Sequence, residues 1–189
     1  MDALLTTFIA AALAEFGDKT QLLVIAIAAR YRQAGAVLLG VAVAALANNL
    51  IAAFGGTLHN GIITLRAISL LVAVALLFAG VAALIPQRSP AGMGAGWKTG
   101  PFLTTAACFF LLEFGDKTQF LTFALAAQYD SLVLASAGAT AGIVIANAPA
   151  AIMAERSREL LRLKPLRRGI ASVFLLIGFI IAVSALRLT

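Results

Sequence analysis

The chain is a succession of long apolar runs separated by short polar stretches. Each run approaches the roughly 20 residues that a helix needs to cross a bilayer, and none shows the alternation of polar and apolar positions typical of barrel strands. Because every backbone polar group in hydrocarbon needs a partner within the protein, such runs predict α-helices. The six predicted helices cover residues 3–29, 34–56, 67–85, 101–127, 131–154 and 169–186.

The composition excludes an ordinary soluble domain. Of the 189 residues, 62% are hydrophobic and 12% are charged, and the mean hydropathy is +1.02. Soluble domains carry about a quarter charged residues and about half apolar ones, so the apolar excess must face lipid. A single cysteine also excludes a disulfide framework and a zinc site of the usual cysteine and histidine spacing. The sequence therefore predicts an all-α, multi-pass integral membrane protein.

The basic residues predict the orientation of the six helices. With alternating connections, only Arg66 and Arg187 fall on one side of the membrane. By the positive-inside rule the other side is cytoplasmic, so both termini should lie outside the cytoplasm, and a bacterial-type plasma membrane is expected. The net charge of +6 is then mainly an orientation signal and does not indicate nucleic-acid binding. The residues on the basic side are Arg30, Arg32, Arg88, Lys98, Arg156, Arg158, Arg162, Lys164, Arg167 and Arg168.

An internal repeat divides the chain into two halves. The sequence EFGDKTQ at residues 15–21 recurs unchanged at residues 113–119, which is 98 positions later. The same offset pairs Asn49 with Asn147 without a gap. Each half holds three predicted helices, and because three is odd, the second half should enter the membrane from the opposite side, as in the inverted repeats of secondary transporters. We therefore expect one transmembrane domain made of repeat 1 (1–85), a cytoplasmic linker (86–100) and repeat 2 (101–189).

The repeated motif places charged residues deep in the membrane. About twelve mostly apolar residues precede each copy, which at about 1.5 Å per residue corresponds to roughly 18 Å of helix. A charge at that depth costs about 2.5 to 3.5 kcal/mol, so a functional site is the natural interpretation. On a continuous helix Glu15, Asp18 and Lys19 would share one face, with Gln21 beside Asp18. Gly17 favours either close helix packing or a local break that frees carbonyl oxygens.

The charges of the two motifs suit a divalent cation. Four carboxylates against two lysines give a formal sum of −2, which one divalent cation or protonation could balance. Carboxylates, amides and hydroxyls are hard donors that favour Ca²⁺, Mn²⁺ or Mg²⁺ over Cu(I) and Zn²⁺, and Mg²⁺ sheds its water reluctantly. Clustered carboxylates also bind protons, so proton and metal should compete, which is the physical basis of exchange. The predicted metal ligands are Glu15, Asp18, Glu113 and Asp116, and the lysines are Lys19 and Lys117.

Four amide side chains accompany the charged residues. Asn49 and Asn147 lie in the second predicted helix of each half, deep enough to need partners. They form either helix-to-helix hydrogen bonds or part of a cation site. Gln21 and Gln119 end the repeated motif and could line the same site.

Two copies of Glu-Phe-Gly-Asp-Lys-Thr in a six-helix chain resemble the E-x-G-D-[KR]-[TS] family of cation transporters. That family includes the Golgi Mn²⁺/Ca²⁺ transporters, the thylakoid Mn²⁺ transporters and the bacterial MneA-type manganese exporters. The resemblance covers the whole chain and implies cation/proton exchange through the four carboxylates. It also implies that Thr20 and Thr118 are supporting polar groups.

These features favour a secondary transporter that exports Mn²⁺ in exchange for protons, with Ca²⁺ as the nearest alternative. The chain needs no resident cofactor; its partners are the divalent cation, protons and the bilayer, and a homodimer is compatible with the sequence. An exporter of a cationic amino acid is the alternative. An intramembrane aspartyl protease is disfavoured, because the lysine after each aspartate would keep the carboxylates ionised whereas a protease dyad shares a proton. A passive channel is also disfavoured, since dense carboxylates would hold a divalent ion too tightly.

Overall fold

A computed structural model of the chain describes residues 1–59, 62–86, 90, 92–154 and 164–186. Within these ranges the protein consists of helices and their connections, without strands, and the all-α prediction is confirmed. The predicted cytoplasmic positions of Arg88, Arg156, Arg158 and Arg162, and the predicted external position of Arg187, lie outside the described residues. The helices are α1 (Asp2–Glu15), α2 (Lys19–Tyr31), α3 (Ala34–Thr57), α4 (Leu65–Leu84), α5 (Gly100–Glu113), α6 (Lys117–Tyr129), α7 (Leu132–Ile152) and α8 (Lys164–Leu186).

Four described helices are long and apolar enough to cross a membrane unaided. They are α3, α4, α7 and the Pro165–Leu186 part of α8, and α5 is a shorter apolar helix. Large apolar side chains on these helices, such as Leu39, Phe78 and Phe179, are exposed as they would be to lipid. The protein is thus a multi-pass membrane protein.

The first and fourth predicted helices are wrong as continuous elements, because each is two helices. The backbone turns at Gly17, with φ +73°, and at Gly115, with φ +76°. Glycine adopts this left-handed region readily, whereas a side chain would strain it. Each turn is fixed by the glutamine four residues later: Gly17 N donates to Gln21 Oε1 at 2.9 Å, and Gly115 N donates to Gln119 Oε1 at 2.6 Å. The resulting half-helices contain 13 or 14 residues, about 20 Å each, and are too short to span a bilayer singly.

The halves interlock through close helix contacts. Helix α1 packs on α7, α5 packs on α3, α3 contacts α7, and α4 packs on α8. Glycines permit this approach: a Cβ added at Gly40 would lie 2.7 Å from Phe102 O, and one added at Gly142 would collide with the backbone of Phe8. Small residues at the interfaces are the usual means of helix association in membranes, where lipid competes for apolar surface. The packing brings the two helix breaks together, so that charged side chains of one motif contact those of the other.

Candidate cation site

The candidate site forms where the four half-helices end. Glu15 is the last residue of α1 and Asp18 is the N-cap of α2, while Glu113 and Asp116 hold the same positions at α5 and α6. The N-terminal end of a helix favours negative charge, and the C-terminal end presents free carbonyl oxygens that can bind a cation. Neither aspartate side chain forms a cap hydrogen bond to its own helix. The local break therefore places one carboxylate on each side of each turn.

Three of the four predicted metal ligands meet in the interior. Carboxylate oxygens of Glu15, Asp18 and Glu113 lie within 4.8 Å of one another, and all three residues are buried. Among the described residues, Glu15 Oε2 and both carboxylate oxygens of Glu113 have no hydrogen-bond partner. Buried polar groups without partners are costly, so these oxygens are suited to receive a cation or a proton.

Asp116 lies apart from these three carboxylates and pairs with lysines. Lys19 Nζ is 3.0 Å from Asp116 Oδ2, and Lys117 Nζ is 3.7 Å from the same oxygen. Lys117 Nζ also lies 2.9 Å from Asp18 Oδ2, so it bridges the two motifs. The side chain of Lys117 is 3% exposed, whereas that of Lys19 is 29% exposed. The two motif lysines therefore occupy different environments despite identical neighbours in sequence.

The predicted supporting residues divide into two groups. Thr20 Oγ1 donates a hydrogen bond to Glu15 Oε1, and Asn147 Nδ2 donates to the same oxygen at 3.1 Å. In contrast, Thr118 Oγ1 has no hydrogen-bond partner among the described residues, and Asn49 bonds to threonines instead of a glutamate.

The glutamines of the motifs hold the helix breaks in place. Besides accepting from the glycine N–H, Gln21 Nε2 donates to Ala146 O at 2.7 Å, and Gln119 Nε2 donates to Asn48 O at 3.2 Å. Each amide thus ties its turn to a long helix of the other half, α7 or α3. These bonds place both glutamines in the scaffold of the site and occupy their amide groups.

The two breaks differ in what covers them. Beside Gly115 and Asp116 lies an open groove of about 450 Å³, lined by phenylalanines that include Phe120 and Phe123. Beside Gly17 lies the Arg167 side chain, and a Cβ added at that glycine would be 2.5 Å from Arg167 Cδ. One motif is thus accessible through a groove and the other is covered.

Arg167 covers Gly17 while it is anchored to the end of α4. Its Nη2 atom donates to Ala83 O at 3.0 Å and to Ile85 O at 2.5 Å. The residue 98 positions earlier is Ser69, whose hydroxyl donates to Leu65 O within its own helix. The second break consequently has no arginine in the matching place.

This difference predicts unequal effects of alanine at the two glycines. Both Gly17→Ala and Gly115→Ala should cost about 1 kcal/mol of stability, because each forces a side chain into the left-handed region. Gly17→Ala should cost more, since its methyl group would also displace Arg167, whereas no atom lies within 4 Å of the Cβ position at Gly115. Heating in detergent with a thiol-reactive dye measures this, because the single cysteine, Cys108, is fully buried. An equal or larger loss for Gly115→Ala would contradict the argument.

Some residues around the site were not identified from the sequence. Thr122 Oγ1 donates to Asn49 Oδ1, Asn49 Nδ2 donates to Thr140 Oγ1, and Asn48 Nδ2 donates to Phe110 O. The sequence signal that could have identified them is a mismatch between the halves. At the 98-residue offset, each of these polar residues corresponds to an apolar residue in the other half. The pairs are Thr122 with Val24, Thr140 with Ala42, and Asn48 with Ala146.

Carboxylates and lysines enclosed among membrane-length helices define a multi-pass membrane transporter. The sequence model of the divalent cation/proton antiporter family GDT1 matches residues 3–91 and 101–188. The chain therefore belongs to this family, which confirms the resemblance seen in the motifs and the prediction of a transporter in place of an enzyme.

One curated relative matches most of the chain. A Vibrio cholerae serotype O1 protein (strain ATCC 39541 / Classical Ogawa 395 / O395), named "Putative manganese exporter", is 34% identical over 179 residues. The match covers 94% of this chain and 89% of the relative. No solved structure matches the chain.

Proposed function

We propose that the protein exports Mn²⁺ from the cytoplasm in exchange for protons, with Ca²⁺ as the nearest alternative substrate. The observation that carries this proposal is the buried group of Glu15, Asp18 and Glu113, whose oxygens lie within 4.8 Å of one another. Membership of the divalent cation/proton antiporter family supports the exchange reaction, and the name of the Vibrio cholerae relative supports manganese.

The chemistry of the site suits a hard divalent cation. Its donors are carboxylate oxygens, and such oxygens are the ligands that Mn²⁺ and Ca²⁺ accept. Four carboxylates and two lysines sum to −2, so one divalent cation neutralises the cluster. Protons can neutralise the same carboxylates, and this competition couples uptake of protons to release of the metal.

The two differently covered breaks support alternating access. In the proposed arrangement α1 with α2 forms one membrane crossing and α5 with α6 forms another, which gives six crossings in two inverted repeats, 1–85 and 101–189. Both termini then lie outside the cytoplasm of a bacterial-type plasma membrane, and the groove beside Asp116 is the external approach. Arg167 covers the opposite approach beside Gly17. Rocking of one repeat against the other would exchange the open and covered sides.

Transport by the purified protein in liposomes tests this function. With an imposed pH gradient, Mn²⁺ should move against the proton flux, and its direction should reverse when the gradient is reversed. Internal Mn²⁺ and internal pH are followed together, and Ca²⁺ is measured in parallel to rank the two ions. Protein-free liposomes give the background.

Two outcomes would contradict the proposed function. A metal flux whose rate and direction do not depend on the pH gradient would contradict proton exchange. Absence of both metal and proton movement, with efflux of lysine or arginine instead, would favour the exporter of a cationic amino acid.

A further inference from the structure

The two halves of the site contain the same residues but use them differently. The 98-residue offset pairs Glu15 with Glu113 and Asn147 with Asn49. In the structure Asn147, from the second half, donates to Glu15 of the first half at 3.1 Å. By the symmetry of the repeat, Asn49 of the first half should donate to Glu113 of the second half. That bond is absent, and both oxygens of Glu113 lack hydrogen-bond partners among the described residues.

Two threonines account for the missing bond, because they engage the amide of Asn49 at both ends. Asn49 Nδ2 donates to Thr140 Oγ1 at 3.2 Å, and Asn49 Oδ1 lies 3.1 Å from Thr122 Oγ1, whose single hydrogen is shared between that oxygen and Thr118 O at 2.9 Å. The Thr140 hydroxyl gives its own hydrogen to Ser136 O at 2.7 Å, which leaves its lone pairs for the asparagine. Asn49 is thus bound between α6 and α7, and its amide makes no hydrogen bond to Glu113.

The first half has no hydroxyl groups at the matching positions. At the 98-residue offset, Val24 corresponds to Thr122 and Ala42 corresponds to Thr140. Val24 is fully buried, so its apolar side chain is enclosed by the protein. Asn147 meets no such competitors, and its amide is available to Glu15. The sequence difference between the halves therefore matches the difference in bonding.

We propose that Thr122 and Thr140 are positioning residues that hold Asn49 away from Glu113, so that Glu113 remains the carboxylate free to bind the transported cation. This inference rests on the proposed exchange function and assigns unequal roles to the two glutamates. Glu15 has one oxygen, Oε1, bonded to Thr20 and Asn147 and only Oε2 open to the substrate, whereas Glu113 offers both oxygens. An amide donor on Glu113 would occupy a lone pair that the cation needs.

Replacing the threonines by their counterparts from the first half tests the proposal. In the double variant T122V/T140A, Asn49 is released and should bond Glu113. The KM for Mn²⁺ in proteoliposomes should then rise about tenfold, comparable to the effect of one hydrogen bond to a charged group, with kcat little changed. Thr122→Ser and Thr140→Ser keep the hydroxyls and should keep the KM of the natural protein.

Removing the amide separates positioning from a structural role. Adding Asn49→Ala to T122V/T140A should return the KM to that of the natural protein, because no donor is left to compete for Glu113. Asn49→Ala alone should leave the KM near its normal value. If the triple variant keeps the high KM, or the double variant never acquires it, the proposal is overturned.

A reciprocal variant covers the case in which T122V/T140A does not fold. V24T/A42T installs both hydroxyls in the first half, and Val24→Thr preserves the shape of the side chain. It should draw Asn147 away from Glu15 and lower the KM for Mn²⁺, whereas an unchanged KM would contradict the proposal. Failure of this inference is distinguishable from failure of the proposed function. If only the inference fails, the natural protein exchanges Mn²⁺ and the variants have the same KM as the natural protein. If the proposed function fails, the natural protein moves no metal, and both proposals are overturned.

Discussion

Asp18→Asn should reduce Mn²⁺/proton exchange to the level of protein-free liposomes. Asp18 is one of the three buried carboxylates and also lies 2.9 Å from Lys117 Nζ. The substitution removes the charge but preserves the shape of the side chain and the preference for a helix N-cap, so α2 should still begin at the same place. The loss therefore reflects the charge of the site and not the break in the helix.

The measurement combines flux with a check of folding. Exchange is normalised to the amount of protein that unfolds cooperatively in the Cys108 dye assay, since the variant leaves Lys117 without its nearest partner. Asp2→Asn is the matched control: it makes the same chemical change at an exposed carboxylate in the first turn of α1 and should transport normally. Normal exchange by folded Asp18→Asn would refute the carboxylate site.

The location of the candidate site could be predicted from the sequence because its signal is local. A segment of seven residues, four of which have charged or amide side chains, recurs unchanged in two apolar runs. The depth of this segment in the membrane follows from the number of apolar residues that precede it. Membrane insertion makes such residues expensive, so their presence alone indicates function. In the structure Glu15, Asp18 and Glu113 converge, whereas Asp116 lies with the lysines, and the role of these carboxylates as cation ligands stays a prediction.

The helix break could not be settled from the sequence. Glycine permits a left-handed turn, but it equally permits close packing in a continuous helix, and the choice depends on partners far along the chain. Here Gln21 ties the turn to Ala146 O of α7, a contact between residues 125 positions apart. The predicted shared face of Glu15, Asp18 and Lys19 fails for this reason, since α1 ends before α2 begins.

The difference in burial between the two motifs could not be predicted from the sequence either. Identical segments give identical local predictions, so the unequal burial of Lys19 and Lys117 must come from surroundings that do not repeat. Arg167, with Ser69 at the matching position, is one such difference, and Thr122 with Val24 is another. A repeat predicts what its halves share, and the mismatched positions determine how they diverge.

Lys117→Met should be the most destabilising change among the charged residues of the site. The methionine fills a similar volume but removes the cation that lies 2.9 Å from Asp18 Oδ2 and 3.7 Å from Asp116 Oδ2. Removing one partner of a buried ion pair typically costs about 3 to 5 kcal/mol, because the remaining charge is left uncompensated. Thermal unfolding followed through Cys108 measures the loss.

Lys19→Met provides the matched control from the other motif. Its side chain is 29% exposed, and ion pairs in contact with solvent contribute about 0 to 1 kcal/mol, so the loss should be small. Added Mn²⁺ distinguishes a cation site from a structural ion pair. In Lys117→Met the buried carboxylates lack their internal cation, so Mn²⁺ should restore stability, by about 2.7 kcal/mol at a hundred times its Kd. If Mn²⁺ leaves Lys117→Met as unstable as before, the lysine neutralises a purely structural cluster and the carboxylates do not form a cation site.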